Sequence, residues 1–269
     1  MAISKREPEV LLEVAHLTKV FPSRERRPRA AVDDVSFTLH RGESLAIVGE
    51  SGSGKTTTAR VVAGLETATA GSVRLARSAD AARRGPDARE VQMVFQDPFG
   101  SLDPRQRVGA GLKELLRRHF RLSRRELEAR VTRLLEQVGL DGRHADQLPR
   151  SLSGGQRQRV AIARALAPEP QILILDEAVS ALDVSVQAQV LNLLADIRAT
   201  SEISYLFVSH DLGVVRQVTD TCLVLCQGRV VEYGATSQVL DDPQDPYTQA
   251  LLAAVPQPGW KPSRRRPVG

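Results

Sequence analysis

Residues 45–56 read Leu-Ala-Ile-Val-Gly-Glu-Ser-Gly-Ser-Gly-Lys-Thr. Four apolar residues run into a glycine-rich turn that fits G-x-x-x-x-G-K-[ST], and a helix is predicted from Lys55 to Ala63, stopped by Gly64. A short buried strand, a tight turn and a helix start make a cradle for phosphate. Glycines let backbone N–H groups converge on oxyanions, and the helix start adds unpaired donors and positive potential. Lys55 is placed to reach the β- and γ-phosphates, and the Thr56 hydroxyl to ligate Mg²⁺, within a binding stretch of Gly49, Glu50, Ser51, Gly52, Ser53, Gly54, Lys55, Thr56 and Thr57.

Outward from that loop the chain alternates. Apolar runs at 10–21, 35–42, 71–76, 91–95, 172–175, 204–208 and 222–226 read as strands, with helical stretches between the later ones. Such alternation predicts a mainly parallel α/β core. Between them, 107–140 has no strand signal. Val108, Leu112, Leu115 and Leu116, then Leu127, Val131, Leu134, Leu135 and Val138, repeat at helical spacing up to Gly139. A further helix is predicted over Gln156–Ala167, closed by Pro168.

The run Ile172–Leu175 ends in Asp176-Glu177. Ligands of open α/β sheets lie at the carboxyl ends of the strands. Asp176 is therefore placed to hold Mg²⁺, and Glu177 to polarise an attacking water as general base. Taken alone the pair reads equally as a helix cap; beside a phosphate loop the metal-and-base reading is the stronger.

Leu152-Ser-Gly-Gly-Gln-Arg-Gln-Arg159 then narrows the class. It resembles the LSGGQ signature of ABC (ATP-binding cassette) ATPases, and it stands just before the Asp-Glu strand as in that family. By itself it also reads as a well-capped surface helix. Other elements follow in order. Gln96 is similar to the Q-loop glutamine, which contacts Mg²⁺ and the attacking water and senses a membrane partner. Ser180–Asp183 resembles the D-loop, and His210 the switch histidine that meets the γ-phosphate. Phe21 matches the aromatic that stacks on adenine, although one aromatic in a strand is also ordinary core. Histidines 16, 40, 119 and 144 join no motif and read as surface.

The resemblance implies a P-loop α/β cassette of residues 9–256 with a RecA-like mixed sheet core and an antiparallel β subdomain. An all-helical subdomain is inserted near 98–165, and a Pro/Arg-rich tail follows at 257–269. It implies ATP and Mg²⁺ as ligands and ATP hydrolysis as the activity. Two such cassettes would sandwich two nucleotides, so that Ser153, Gly154, Gly155, Gln156 and Asp183 act in trans on the partner's ATP. Three stretches, 95–105, 175–194 and 242–256, resemble the dipeptide, oligopeptide and nickel importer group. That group implies two membrane permeases, a second ATP-binding subunit (a paralogue or an identical copy), an extracytoplasmic solute-binding protein, and a place on the cytoplasmic face of the membrane. Ala178 stands where many cassettes have proline. No cysteine follows Cys226, so the iron–sulfur cluster of some members is not expected.

Composition bounds the alternatives. The 269 residues are 42% hydrophobic and 26% charged, an ordinary globular balance, and no run reaches the ~20 apolar residues that span a bilayer. The N-terminus carries no hydrophobic stretch of the signal-peptide kind. The net charge of +5 suggests nucleic acid, but the arginines are scattered and not interleaved with aromatics, so no nucleic acid partner is expected. An exporter ATPase, or a soluble ABC ATPase working on nucleic acid or ribosomes, stays open as an alternative. Cys222 and Cys226 lie four apart on one apolar run and read as small buried hydrophobes.

Overall fold

The computed structural model describes residues 9–22, 30–76, 89–97, 100 and 102–254. The tail at 257–269, most of the basic loops at 24–29 and 83–89, and Pro98, Phe99 and Ser101 lie outside them.

The main sheet has six strands: β3 (Ser44–Val48), β5 (Val91–Val94), β6 (Ile172–Asp176), β7 (Ser204–Val208), β8 (Thr221–Cys226) and β9 (Arg229–Ala235). Their spatial order is β5-β6-β7-β3-β8-β9; the first five are parallel and β9 returns antiparallel from β8. Every residue of β3, β6 and β7 is buried, which is why these strands read as continuous apolar runs.

The two-residue period of a strand divides these side chains between two cores. Leu45, Ile47, Ile172, Ile174, Leu206, Val208, Leu223 and Leu225 face one. Ala46, Val48, Leu173, Leu175, Tyr205, Phe207, Cys222 and Val224 face the other. The first core is closed by helix α1 (Lys55–Val62) and by a three-stranded antiparallel sheet of order β2-β1-β4, namely β2 (Ala30–His40), β1 (Val10–Val20) and β4 (Ala70–Leu75). The second holds the helices α2 (Val108–His119), α3 (Arg124–Gln137) and α4 (Gly154–Leu166), with α5 (Val184–Thr200) and α6 (Leu212–Val218). Two short helices, α7 (Thr236–Asp241) and α8 (Pro246–Ala253), finish the described chain. Of the two cysteines, Cys222 is fully buried, its thiol pushed up to about 12 by desolvation, while Cys226 is half-buried; both are free.

Two boundaries differ from the sequence expectation. β2 begins at Ala30, five residues before Val35, because Ala30 and Val32 pair with Val20 and Lys19 of β1. The poor strand formers Asp33 and Asp34 hide this extension. Asp34 takes a left-handed φ of 58° where the β1–β2 register shifts, and its carboxylate meets His16 Nδ1 at 2.8 Å. α4 starts at Gly154 instead of Gln156. Ser153 Oγ accepts the Gln156 N–H at 3.2 Å, while Gln156 Oε1 accepts the Ser153 N–H at 2.9 Å, a reciprocal cap that carries the helix back through both glycines.

Among the described residues no helix is long and apolar enough to cross a membrane. Because β3, β5, β6, β7 and β8 run in one direction, their carboxyl ends, and the loops that leave them, share one edge of the sheet.

Candidate active site

At that edge the loop after β3 folds back on its own strand. Gly49 has φ +144°, and a Cβ there would lie 2.2 Å from the Leu225 carbonyl oxygen of β8. Gly54, the N-cap of α1, has φ +105°, and a Cβ would lie 2.3 Å from the Ala31 carbonyl oxygen of β2. The loop is thus pressed against backbone on two sides, and only glycine fits. Gly54→Ala is expected to lower the melting temperature by at least 2–4 °C, roughly 1 kcal/mol or more of lost stability. Gly154→Ala, whose Cβ would meet open space, should hold or raise it.

Lys55 is only 6% exposed, and its Nζ donates to the carbonyls of Gly49 and Glu50, both at 2.8 Å. Desolvation holds its pKa below the usual lysine range, against the pull of Glu177 and Asp176. Thr56 Oγ1 donates to Asp176 Oδ1 at 3.0 Å. Asp176 is buried, and that burial pushes its carboxyl upward. The Thr56 hydrogen bond opposes the shift, the charge of Glu177 adds to it, and Arg60 and Lys55 oppose it. Ser53 Oγ is buried without a hydrogen-bond partner, a polar atom left over inside the loop.

Glu177 leaves β6 in a left-handed turn, φ 48°, with its N–H on the Val208 carbonyl at 2.9 Å and its own carbonyl accepting the Ser180 hydroxyl at 2.9 Å. Such a conformation costs a non-glycine residue on the order of 1 kcal/mol and persists only where its surroundings hold it. Here it sets Glu177 Oε1 3.2 Å from His210 Nδ1, at the end of β7. A pocket of about 70 Å³ opens beside the pair, lined also by Gln187 and Ser209.

The structure therefore joins Lys55, Thr56, Asp176, Glu177 and His210 at one edge, from three stretches far apart in sequence. Gln96 lies on the same edge, exposed, two residues beyond Val94, which pairs with Leu175. Phe21 is 40% exposed just past β1, with Lys19 Nζ 4.8 Å from its ring centre. Ser153–Gln156 form a separate cluster, with no hydrogen bond to the phosphate loop among the described residues. A Cβ on Gly155 would lie 2.4 Å from Val186, whose N–H is capped by Asp183 at 3.0 Å, so the starts of α4 and α5 sit side by side.

One histidine corrects the sequence reading. His144 is buried, not on the surface: its Nδ1 lies 2.8 Å from the Asp141 carbonyl oxygen and its Nε2 3.4 Å from Gln156 Nε2. It sits in a 3-10 turn, Gly142–Asp146, tucked beneath the start of α4, and no helical or strand period marks such a turn in sequence.

The family described as "ABC transporter" matches residues 32–180, more than half of the chain. The chain belongs to the ABC transporter family. A second match, to "Oligopeptide/dipeptide transporter, C-terminal region", covers residues 231–268 of this ABC cassette. The glutathione import ATP-binding protein GsiA of Escherichia coli O6:H1 is 45% identical over 269 residues, 96% of this chain and 43% of GsiA. GsiA of Salmonella paratyphi A is 45% identical over 271 residues, 97% of this chain and again 43% of the relative. The cassette thus spans less than half the length of these curated relatives. Among solved structures, the dimeric post-hydrolysis state of the ATP-binding cassette MJ0796 with ADP and Pi bound has a TM-score of 0.74 at 28% identity, covering 84% of this chain and 99% of that one. CbiO1 from Clostridium perfringens, part of the ABC transporter complex cbiONQ, has 0.73 at 26%, covering 87% and 92%.

A cassette of this family takes ATP with Mg²⁺, and the residues at this edge fit both. The glycine cradle, the idle Ser53 hydroxyl and the Lys55 ammonium suit a polyanion. The oxygen donors Thr56 and Asp176, already 3.0 Å apart, suit a hard divalent cation.

Proposed function

We propose that this cassette is the ATP-hydrolysing subunit of a membrane importer for peptides or a related small solute, of the di-/oligopeptide or nickel type. The observation that carries the proposal is the convergence of Lys55, the Thr56–Asp176 pair and the Glu177–His210 pair on one sheet edge.

Residues 49–57 wrap the triphosphate, and Lys55 exchanges its two loop carbonyls for phosphate oxygens. Thr56, Asp176 and Gln96 would hold the Mg²⁺, whose charge would offset that of the phosphates. Glu177 takes the proton of the attacking water as general base. His210, hydrogen-bonded to Glu177, turns to the γ-phosphate, and Phe21 stacks on adenine. Ser153–Gln156 and Asp183, which stand apart from this chain's own loop, serve the nucleotide of a second ATP-binding subunit. Val184, next to Asp183 and 85% exposed, suits a surface that a partner cassette covers.

The match over 231–268 and the likeness to a glutathione import protein support import. The partners are two permeases, a second cassette (identical or paralogous) and, indirectly, a solute-binding protein outside the membrane. The place is the cytoplasmic face. A groove of about 360 Å³ lined by Met93, Phe95, Leu115 and Arg164, next to Gln96, suits a permease segment. Affinity purification from solubilised membranes should recover two permeases, and ATP hydrolysis should rise when solute and its binding protein are added to the reconstituted complex. Recovery of ribosomes or nucleic acid instead, or outward transport, would replace this reading.

A further inference from the structure

The phosphate loop is braced by a residue 197 positions further along the chain. Tyr247, in the first turn of α8, accepts the Glu50 N–H on its hydroxyl at 3.1 Å. The Glu50 carbonyl is held from the other direction by Lys55 Nζ at 2.8 Å and by the Ser53 N–H at 3.2 Å. Both polar groups of Glu50 are therefore fixed, one from inside the loop and one from outside. Tyr247 itself is half-buried.

The brace is anchored in turn. Asp245 Oδ1 accepts the Tyr247 N–H at 2.8 Å. Glu232 of β9 accepts the N–H groups of Gln244 at 2.9 Å and Asp245 at 3.3 Å. A rigid line thus runs from β9 through α8 to the first turn of the phosphate loop. Anion binding by backbone N–H groups is strongest when the loop already has its bound shape, because ordering it on binding costs affinity.

We propose that Tyr247 is a positioning residue for the phosphate loop, so that the seating of α8 on β9 sets the cassette's affinity for nucleotide. The inference rests on the reading of residues 49–57 as a nucleotide cradle. Tyr247→Phe keeps the ring and removes the acceptor. Calorimetric titration with MgADP should give a three- to tenfold higher Kd than for the unaltered chain, the worth of one neutral hydrogen bond. KM for ATP should rise by a similar factor with kcat at saturating ATP unchanged, and the melting temperature should fall by no more than about 2–4 °C, the fold being retained. Glu232→Ala, which frees α8, should raise Kd in the same range, and the double variant should raise it no further. An unchanged Kd in Tyr247→Phe, a fall in kcat with KM unchanged, or fully additive effects would overturn the proposal. If the unaltered chain takes up no MgADP, the cradle reading itself fails; if it binds and Tyr247→Phe binds equally well, only the brace fails.

Discussion

Glu177→Gln should bind MgATP about as well as the unaltered cassette, hydrolyse it about 10²–10⁴-fold more slowly, and accumulate as an ATP-bound pair. Glutamine has the shape of glutamate, and its amide oxygen still meets His210 Nδ1, so the 3.2 Å contact and the left-handed turn at φ 48° can both persist. What goes is the carboxylate, and with it the group that takes a proton from water. Binding depends on the glycine cradle and Lys55, which the substitution does not touch. Loss of one negative charge beside Asp176 also relieves part of the rise in the Asp176 carboxyl, so ground-state binding has no reason to weaken. The closed pair follows because the nucleotide that holds two cassettes together is no longer cleaved. Phosphate release and ATP-dependent size-exclusion chromatography read the two effects separately. Turnover within tenfold of the unaltered protein would remove Glu177 from the role of base.

Much of this site is legible in the sequence because the physics that builds it is local. Three apolar runs, each buried at every position, announce central parallel strands, and in a parallel sheet their carboxyl ends must meet. That rule brings Lys55, Asp176 and His210 together without any knowledge of side-chain contacts. The helices over 108–137 are equally open to reading, since Leu112, Leu116, Leu127, Val131, Leu134 and Leu135 are all buried at helical spacing.

The rest depends on contacts between distant segments that no period encodes. Asp33 and Asp34 disguise the first half of β2, which exists because β1 pairs with it. Its Ala31 carbonyl is one wall against which Gly54 must fit. His144 looks like any polar residue of a loop until α4 settles over its 3-10 turn. Tyr247 lies in the stretch 242–256 that carries a family resemblance, yet its hydrogen bond to Glu50 appears only once β8, β9 and α8 have packed beside the loop. The Glu177 turn is hidden too, because a left-handed glutamate is nowhere a sequence preference.

Lys55→Ala should weaken MgATP binding about ten- to a hundredfold or more, with the fold retained. Lys55 lies almost fully buried, where its ammonium is already desolvated and already faces Gly49 and Glu50 carbonyls at 2.8 Å. A triphosphate entering the cradle offers charged oxygens in place of neutral ones, and charge-assisted hydrogen bonds are roughly twice as strong as neutral ones. Removing the ammonium does more than delete those bonds. Asp176 and Glu177 lose a nearby cation, so the incoming polyanion meets two carboxylates with less positive charge to offset them. The helix start and the remaining loop N–H groups still favour an anion, which is why the loss is large but finite. Equilibrium dialysis with labelled ATP and magnesium measures it directly, and raising the magnesium concentration should recover part of the loss by screening the phosphates. An affinity equal to that of the unaltered chain would mean that the ammonium's place over residues 49 and 50 is structural, and that the nucleotide is held elsewhere.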